Sequence, residues 1–301
     1  MKILVTDGMD KSAMAALRAD GHEVVEQFYE PDQLGAALRD VDAVIVRSKT
    51  KVRAKHIDEA KGGSLKLVIR GGVGVDNIDV KYAEDAGLTV KNTPKASSQS
   101  VAELAMAHMF ACSRYVSIAG HTMREGTWEK KAYGKGVELF GKTLGIIGFG
   151  RIGQKLCAMA KAMGMNVVAF DIFHVPGIEE QMGMEYVEMD ELFARADFIS
   201  LHTPAIDGKP LINAENIAKM KDGVIFVNTS RGNNVDEAAL LDALNSGKVR
   251  GAGLDVFAEE PSANEALYSH PNVSCTPHIG AATVEAQKRI GEEIVEIIRS
   301  F

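Results

Sequence analysis

Cysteine is scarce. The 301-residue chain has three, Cys112, Cys157 and Cys275, far apart in apolar surroundings and without a C-x-x-C pair. That argues against a disulfide framework and predicts reduced core thiols in a cytosolic protein, with no metal site. Excess positive charge is missing too. The formal net charge of −7 argues against general affinity for nucleic acid or membranes, so an anionic substrate needs a locally basic pocket. No apolar run is long enough to cross a bilayer, because the longest helical stretch, residues 101–112, contains Glu103 and His108. The opening MKILVTDGMD reads as a strand and a turn without a signal-peptide core, which predicts a cytoplasmic protein. Low-complexity tracts are absent, as is any repeat beyond a strand–helix rhythm. What remains is ordinary globular composition, 46% hydrophobic and 25% charged, in a chain long enough for two cores.

The most informative stretch is 143–171, TLGIIGFGRIGQKLCAMAKAMGMNVVAFD. Residues 144–147 suit a buried strand. Gly148, Gly150 and Gly153 follow in G-x-G-x-x-G spacing, and Ile152, Leu156, Ala160 and Met163 then recur at helical intervals. A second apolar run, 167–170, ends on Asp171. The first glycine allows a tight turn, the second lets a pyrophosphate approach the backbone, and the third lets helix pack on strand. The helix N-terminus offers free N–H groups to phosphates. Asp171 lies about twenty residues past the glycines, where an acid binds a ribose 2′-hydroxyl and repels a 2′-phosphate. The pattern predicts a dinucleotide site with NAD favoured over NADP.

The pattern starts late in the chain. Before it, residues 3–6, 23–26, 43–46, 67–69 and 88–91 read as strands, with helices such as 12–19 and 31–38 between them. This alternation predicts a separate parallel-sheet domain. After Pro94, one long helix is predicted over 98–124, with Val101, Leu104, Ala105, Met109 and Cys112 on one face. A polar segment follows, carrying the only tryptophan, Trp128, and the basic residues Lys130, Lys131 and Lys135. A tryptophan in such a loop suits either an interface anchor or a contact with its own domain. Residues 136–143 satisfy G-x-x-x-x-G-K-T, but a strand follows the motif instead of preceding it, so a triphosphate-binding loop is rejected. Strands resume at 198–202, 223–228, 251–256 and 273–276, with a helix over 236–246 and an amphipathic one over 283–301.

In open α/β sheets, ligands bind beyond the carboxyl ends of the strands. There the chain places His202-Thr203-Pro204, then Asn228 to Gly232 with Arg231, then Asp255 to Pro261 with Glu259 and Glu260, then Thr276 to Gly280 with His278. Arg231 suits a carboxylate clamp, His278 a general acid and base, and Glu260 a partner that orients the imidazole. Beside a nicotinamide, that is equipment for hydride transfer at C2 of a 2-hydroxy or 2-oxo acid. A structural histidine and a locally paired arginine fit these types equally well.

The motifs RGGVGVDNID, GFGRIG, HTP, NTSRG, GLDVFAEEP and TPHIGAAT extend over nearly the whole chain. Together they resemble the D-isomer-specific 2-hydroxyacid dehydrogenases, closest to the D-3-phosphoglycerate dehydrogenases. The resemblance implies an α/β fold of two Rossmann-like or flavodoxin-like parallel-sheet domains with a cleft between them. Residues 1–97 plus 282–301 would bind substrate and 98–281 would bind NAD, with a homodimer formed through the NAD domain near Trp128. It assigns Arg231, Glu260 (in preference to Glu259) and His278 to catalysis. It assigns Gly148, Gly150, Arg151, Ile152, Gly153, Asp171, Thr203, Thr229, Ser230, Asp255, Gly280 and Ala281 to the cofactor pocket. Arg47, Arg70, Gly72 and Val73 match substrate positions, and Lys130 and Lys131 would add charge from a neighbouring subunit. Two arginines suit a phosphate, which points to 3-phospho-D-glycerate and serine biosynthesis. Val73 departs from a threonine seen in some relatives and cannot donate a side-chain hydrogen bond. The chain ends at Phe301 without the C-terminal regulatory domains of longer relatives, so regulation by serine is not implied. The alternatives are a hydroxypyruvate/glyoxylate or D-lactate-type reductase and, in a different class, an NAD-sensing corepressor-like binding protein.

Overall fold

The computed structural model describes residues 1–206 and 208–301, which divide into two compact units, 1–98 with 281–301 and 99–280. In chain order the first unit holds β1 (Lys2–Val5), α1 (Lys11–Ala19), β2 (Glu23–Glu26), α2 (Leu34–Leu38), β3 (Ala43–Val46), α3 (Ala54–Ala60), β4 (Leu67–Arg70), α4 (Val80–Asp85) and β5 (Thr89–Asn92). The second begins with α5 (Ser98–Arg114), α6 (Val116–Arg124), β6 (Thr143–Ile147), α7 (Arg151–Ala162), β7 (Asn166–Phe170), α8 (Ile178–Met182), β8 (Glu185–Tyr186) and α9 (Met189–Arg195). It continues with β9 (Phe198–Leu201), α10 (Ala214–Lys219), β10 (Val224–Asn228), α11 (Glu237–Ser246), β11 (Val249–Leu254), α12 (Glu265–Tyr268) and β12 (Val273–Cys275). The chain then returns to the first unit with α13 (Val284–Ser300).

Among the described residues, the first unit's sheet runs β2-β1-β3-β4-β5, parallel throughout. β3 is buried at every position, as a strand covered on both faces must be. Successive side chains point to opposite faces. Ile3, Val5, Ile45 and Ile69 pack with Leu17 of α1 and Ile290, Ile294 and Ile298 of α13. Leu4, Val44, Val46 and Val68 pack with Leu34, Leu38 and Ile57 on the other side. Caps fix the entries of α1 and α13. Asp10 accepts the N–H groups of Ser12 and Ala13, and Thr283 accepts that of Ala286.

The second sheet runs β12-β11-β10-β9-β6-β7-β8, again parallel. Its order reverses between β6 and β9, the crevice where such sheets take ligands. Among the described residues, no helix is long and apolar enough to cross a membrane.

Three expectations need correction. The helix predicted over 98–124 is two helices, broken at Tyr115, whose φ is +56°. The Ser113 carbonyl accepts the N–H of Val137 at 2.9 Å, and the Tyr115 hydroxyl accepts from Arg250 at 3.1 Å. The first of these takes the place of the next helical bond to that carbonyl, and the second anchors the Tyr115 side chain at the break. Met163 is not on the buried face of α7: it is the C-cap and 43% exposed, while Leu156, Cys157 and Ala160 carry the packing. Cys275 is not a core thiol either. It ends an edge strand and faces outward, whereas Cys112 and Cys157 are buried. Burial pushes those two thiols up to about 12 and about 11, which keeps them protonated and inert.

Candidate active site

The glycine turn lies at the point where the sheet order reverses. Gly148 has φ +92°, and a Cβ there would come within 2.8 Å of the His202 backbone at the end of β9. Only glycine combines that conformation with that approach. A Cβ on Gly150 would meet nothing within 4 Å, so the backbone there is open to a ligand. Arg151 and Ile152 open α7 and present N–H groups of its first turn. Asp171, at the end of β7, accepts the N–H of Phe149 at 2.6 Å and that of Phe173 at 2.9 Å, which ties the acid to the turn.

At the ends of β9 and β10, two buried polar atoms have no hydrogen-bond partner among the described residues, His202 Nδ1 and Thr229 Oγ1. Burial lowers the His202 pKa to about 4, so the ring is neutral near pH 7. Asn234, fully buried, donates to Thr203 Oγ1 at 3.1 Å and to the Pro204 carbonyl at 2.8 Å. Orphaned polar groups, an open glycine and a helix N-terminus at one switch point fit a dinucleotide.

The sequence-predicted trio lies on neighbouring strand ends. Asn228, at the end of β10, accepts the N–H of Ser230 at 2.9 Å and donates to the Arg231 carbonyl at 2.9 Å, shaping the turn that carries Arg231. Gly232 lies against the Phe257 carbonyl where a Cβ would overlap it, so this turn packs on the loop that carries Glu260. Arg231 Nη1 donates to the Ser230 carbonyl at 2.7 Å. His278 Nδ1 and Glu260 Oε2 are 2.7 Å apart, and Glu260 Oε1 accepts the Phe257 N–H at 3.2 Å. Burial raises the Glu260 pKa, but the bond and charge of His278, the Phe257 N–H and the charge of Arg231 together outweigh it and hold the group below the ordinary carboxylate range. With Glu260 ionised, Nδ1 of His278 carries the proton it donates and Nε2 is the exchangeable position. Glu260 and His278 line a cavity of about 420 Å³ with Phe257, Pro261, Tyr268 and Pro277. His278 is held at φ +53°, uncommon for a non-glycine residue.

Asp255, 1% exposed, accepts from Thr276 Oγ1 at 2.6 Å and from the N–H groups of Ile279 and Gly280, each at 2.8 Å. It therefore braces the loop around His278, whatever it contributes to a cofactor. Ala281 falls at the start of the first unit's closing segment, one residue beyond Gly280.

In the first unit, Arg47 follows β3 and Arg70 ends β4, so the two sit on adjacent strand ends, with Gly72 and Val73 in the turn after β4. Two residues that the sequence reading missed build this end. Asp7 accepts the N–H of Arg47 at 2.7 Å, the N–H of Thr50 at 3.0 Å and the Thr50 hydroxyl at 2.6 Å. Asn77 donates to the carbonyls of Arg47 at 2.6 Å and Thr50 at 2.7 Å. The only sequence signal for Asp7 is an acid just past the first strand, at the reversal between β1 and β3. Lys130, Lys131 and Trp128 are exposed in the second unit.

The sequence pattern of the D-isomer specific 2-hydroxyacid dehydrogenase NAD binding domain matches residues 106–280. The chain is 49% identical over 302 residues to a hydroxypyruvate reductase of Thermotoga maritima, covering 99% of this chain and 97% of that protein. It is 45% identical over 301 residues to a D-3-phosphoglycerate dehydrogenase of Methanocaldococcus jannaschii, covering 99% of this chain but 57% of that longer protein. Among solved structures, a glyoxylate reductase from Paecilomyes thermophila superposes with a TM-score of 0.90 at 32% identity, covering 100% of this chain and 94% of that one. A D-lactate dehydrogenase from Aquifex aeolicus, complexed with NAD and lactic acid, gives 0.86 at 29% identity, covering 99% and 95%. The chain therefore belongs to the D-isomer-specific 2-hydroxyacid dehydrogenases, and is an NAD-dependent oxidoreductase of that family.

Proposed function

We propose that this protein interconverts 3-phospho-D-glycerate and 3-phosphohydroxypyruvate, with Arg231, Glu260 and His278 as its catalytic residues. The observation that carries the chemistry is the 2.7 Å His278–Glu260 pair on the strand end beside Arg231. Bound NAD supplies the hydride acceptor. In oxidation, Nε2 of neutral His278 takes the hydroxyl proton as the hydride leaves C2. In reduction, the protonated ring returns it to the carbonyl oxygen. Glu260 stabilises the imidazolium, and Arg231 clamps the substrate carboxylate. Arg47 and Arg70, side by side on the first unit's sheet, support a second anionic group on the substrate.

One observation favours a second reading. The relative that matches nearly end to end, at 49% identity, is a hydroxypyruvate reductase, and hydroxypyruvate differs from 3-phosphohydroxypyruvate only by the phosphate. A panel of 3-phosphohydroxypyruvate, hydroxypyruvate, glyoxylate and pyruvate, each with NADH and NADPH, tests both. In the phosphate reading, Arg47→Ala combined with Arg70→Ala costs about 100-fold in kcat/KM for the phosphorylated acid, as loss of a charge-assisted clamp does. Equal rates for parent and variant would leave hydroxypyruvate as the substrate. Binding of NAD with no turnover across the panel would point to a sensor instead of an enzyme.

The second unit also supports a homodimer. Among its described residues, α6 has none buried, and Val116, Met123 and Trp128 are 60%, 59% and 78% exposed. Large apolar side chains left exposed on and just after one helix support an association face there. Sedimentation should give twice the mass of the chain, and a monomer at micromolar concentration would exclude the dimer.

A further inference from the structure

Behind His278 lies a run of buried polar groups that takes no part in the proton path. His108, on α5 and 2% exposed, places Nδ1 3.0 Å from Ser274 Oγ and Nε2 3.1 Å from Thr276 Oγ1. Thr276 donates its hydroxyl to Asp255 Oδ1 at 2.6 Å. The same carboxylate receives the N–H groups of Ile279 and Gly280, the two residues after His278, both at 2.8 Å. One arrangement of hydrogens satisfies every member. The Thr276 proton is committed to Asp255, so Nε2 of His108 donates to Thr276 Oγ1, and Nδ1 accepts from Ser274. Burial lowers the His108 pKa, against the opposing charge of Asp255, in keeping with a neutral ring.

We infer that His108 is a positioning residue: it aims the Thr276 hydroxyl at Asp255 and thereby holds residues 276–280 in the form that presents His278 to Glu260. The geometry has a particular need for such a brace. His278 sits at φ +53°, which a non-glycine residue keeps only when its surroundings hold it there. Without the His108 N–H, the Thr276 oxygen loses the second contact that fixes its rotamer, and the bond to Asp255 alone is left to hold the loop on its β12 side. A fully satisfied buried network rigidifies its surroundings, and a partly satisfied one does not. The inference rests on the reading of His278 as proton carrier.

The test compares His108→Leu, which keeps the bulk and removes both bonds, with His108→Gln, which keeps a terminal N–H donor. Each is assayed with NADH and both hydroxypyruvate and 3-phosphohydroxypyruvate. NADH affinity is followed by fluorescence, and amide exchange at Ile279 and Gly280 by NMR. His108→Leu is expected to lower kcat about ten- to a hundredfold, the cost of a displaced catalytic group. KM and NADH affinity should stay near parental values, and the two amides should exchange faster. His108→Gln should recover most of the kcat and of the protection. Parental kcat and parental exchange in His108→Leu would overturn the inference. A joint loss of kcat, NADH affinity and thermal midpoint that glutamine does not recover would also overturn it, since His108 would then be a general core residue. His278→Ala, run in parallel, separates the two readings. Parental turnover in it removes the proton-carrier role, whereas an inactive His278→Ala beside a fully active His108→Leu removes only the positioning role.

Discussion

His278→Ala is expected to lower turnover about 10²–10⁴-fold, the usual worth of a positioned acid–base group, with NADH affinity unchanged. The expectation follows from where the groups sit. His278 lies past β12, the last strand of its sheet, and pairs with Glu260 on the loop after β11. The glycine turn and Asp171 lie past β6 and β7, on the far side of β9 and β10. Deleting the imidazole removes the proposed proton donor and leaves Glu260 only the Phe257 N–H, but it touches none of the turn's hydrogen bonds. Steady-state kinetics with an NADH fluorescence titration check the split. Turnover at the parental rate would remove His278 from the mechanism, and lost NADH affinity would mean that the loop shapes the cofactor pocket.

Gly148→Val is expected to act in the opposite way, through the fold first. Its φ of +92° is strained for any L side chain, and a Cβ there would lie 2.8 Å from the backbone of His202. The second clash cannot relax by a rotamer change, because the obstacle is main chain. The N–H of His202 is itself pinned to the Ile147 carbonyl at 2.7 Å. Backbone strain and overpacking together come to about 3–5 kcal/mol. Denaturant unfolding should show a loss of that size together with lost NADH binding. A variant with parental stability would mean that the turn can be rebuilt without a left-handed residue.

These two cases also mark what the sequence makes legible. Gly148 and His278 stand at the end of strands that the apolar pattern already locates, and each residue type carries a local physical requirement. The split at Tyr115 carries none. The apolar period runs on through it, and the break depends on Val137 and Arg250, which lie far away along the chain. Cys275 reads as core because strand composition does not say which strand lies at the edge or which face its last residue takes. Asp7, Asn77 and Asn234 escape notice for a related reason. Each is a polar residue outside the strands, and its role rests on backbone partners that only the sheet order brings near. Asp255 is legible as a residue of the site but not as the brace of its loop.

The helix α13 has a bearing on how the molecule is made. Its Ile290, Ile294 and Ile298 cover Ile3, Val5, Ile45 and Ile69, so the last element of the chain seals the face built by the first. A chain growing on the ribosome has all the strands of the second sheet before it has α13, while one face of the first sheet waits with only α1 on it. At ~5–20 residues per second, the roughly 200 residues in between take about 10–40 s. The order of completion thus inverts the order of synthesis: the later unit closes first, and the earlier one stays open to chaperones until the final helix emerges.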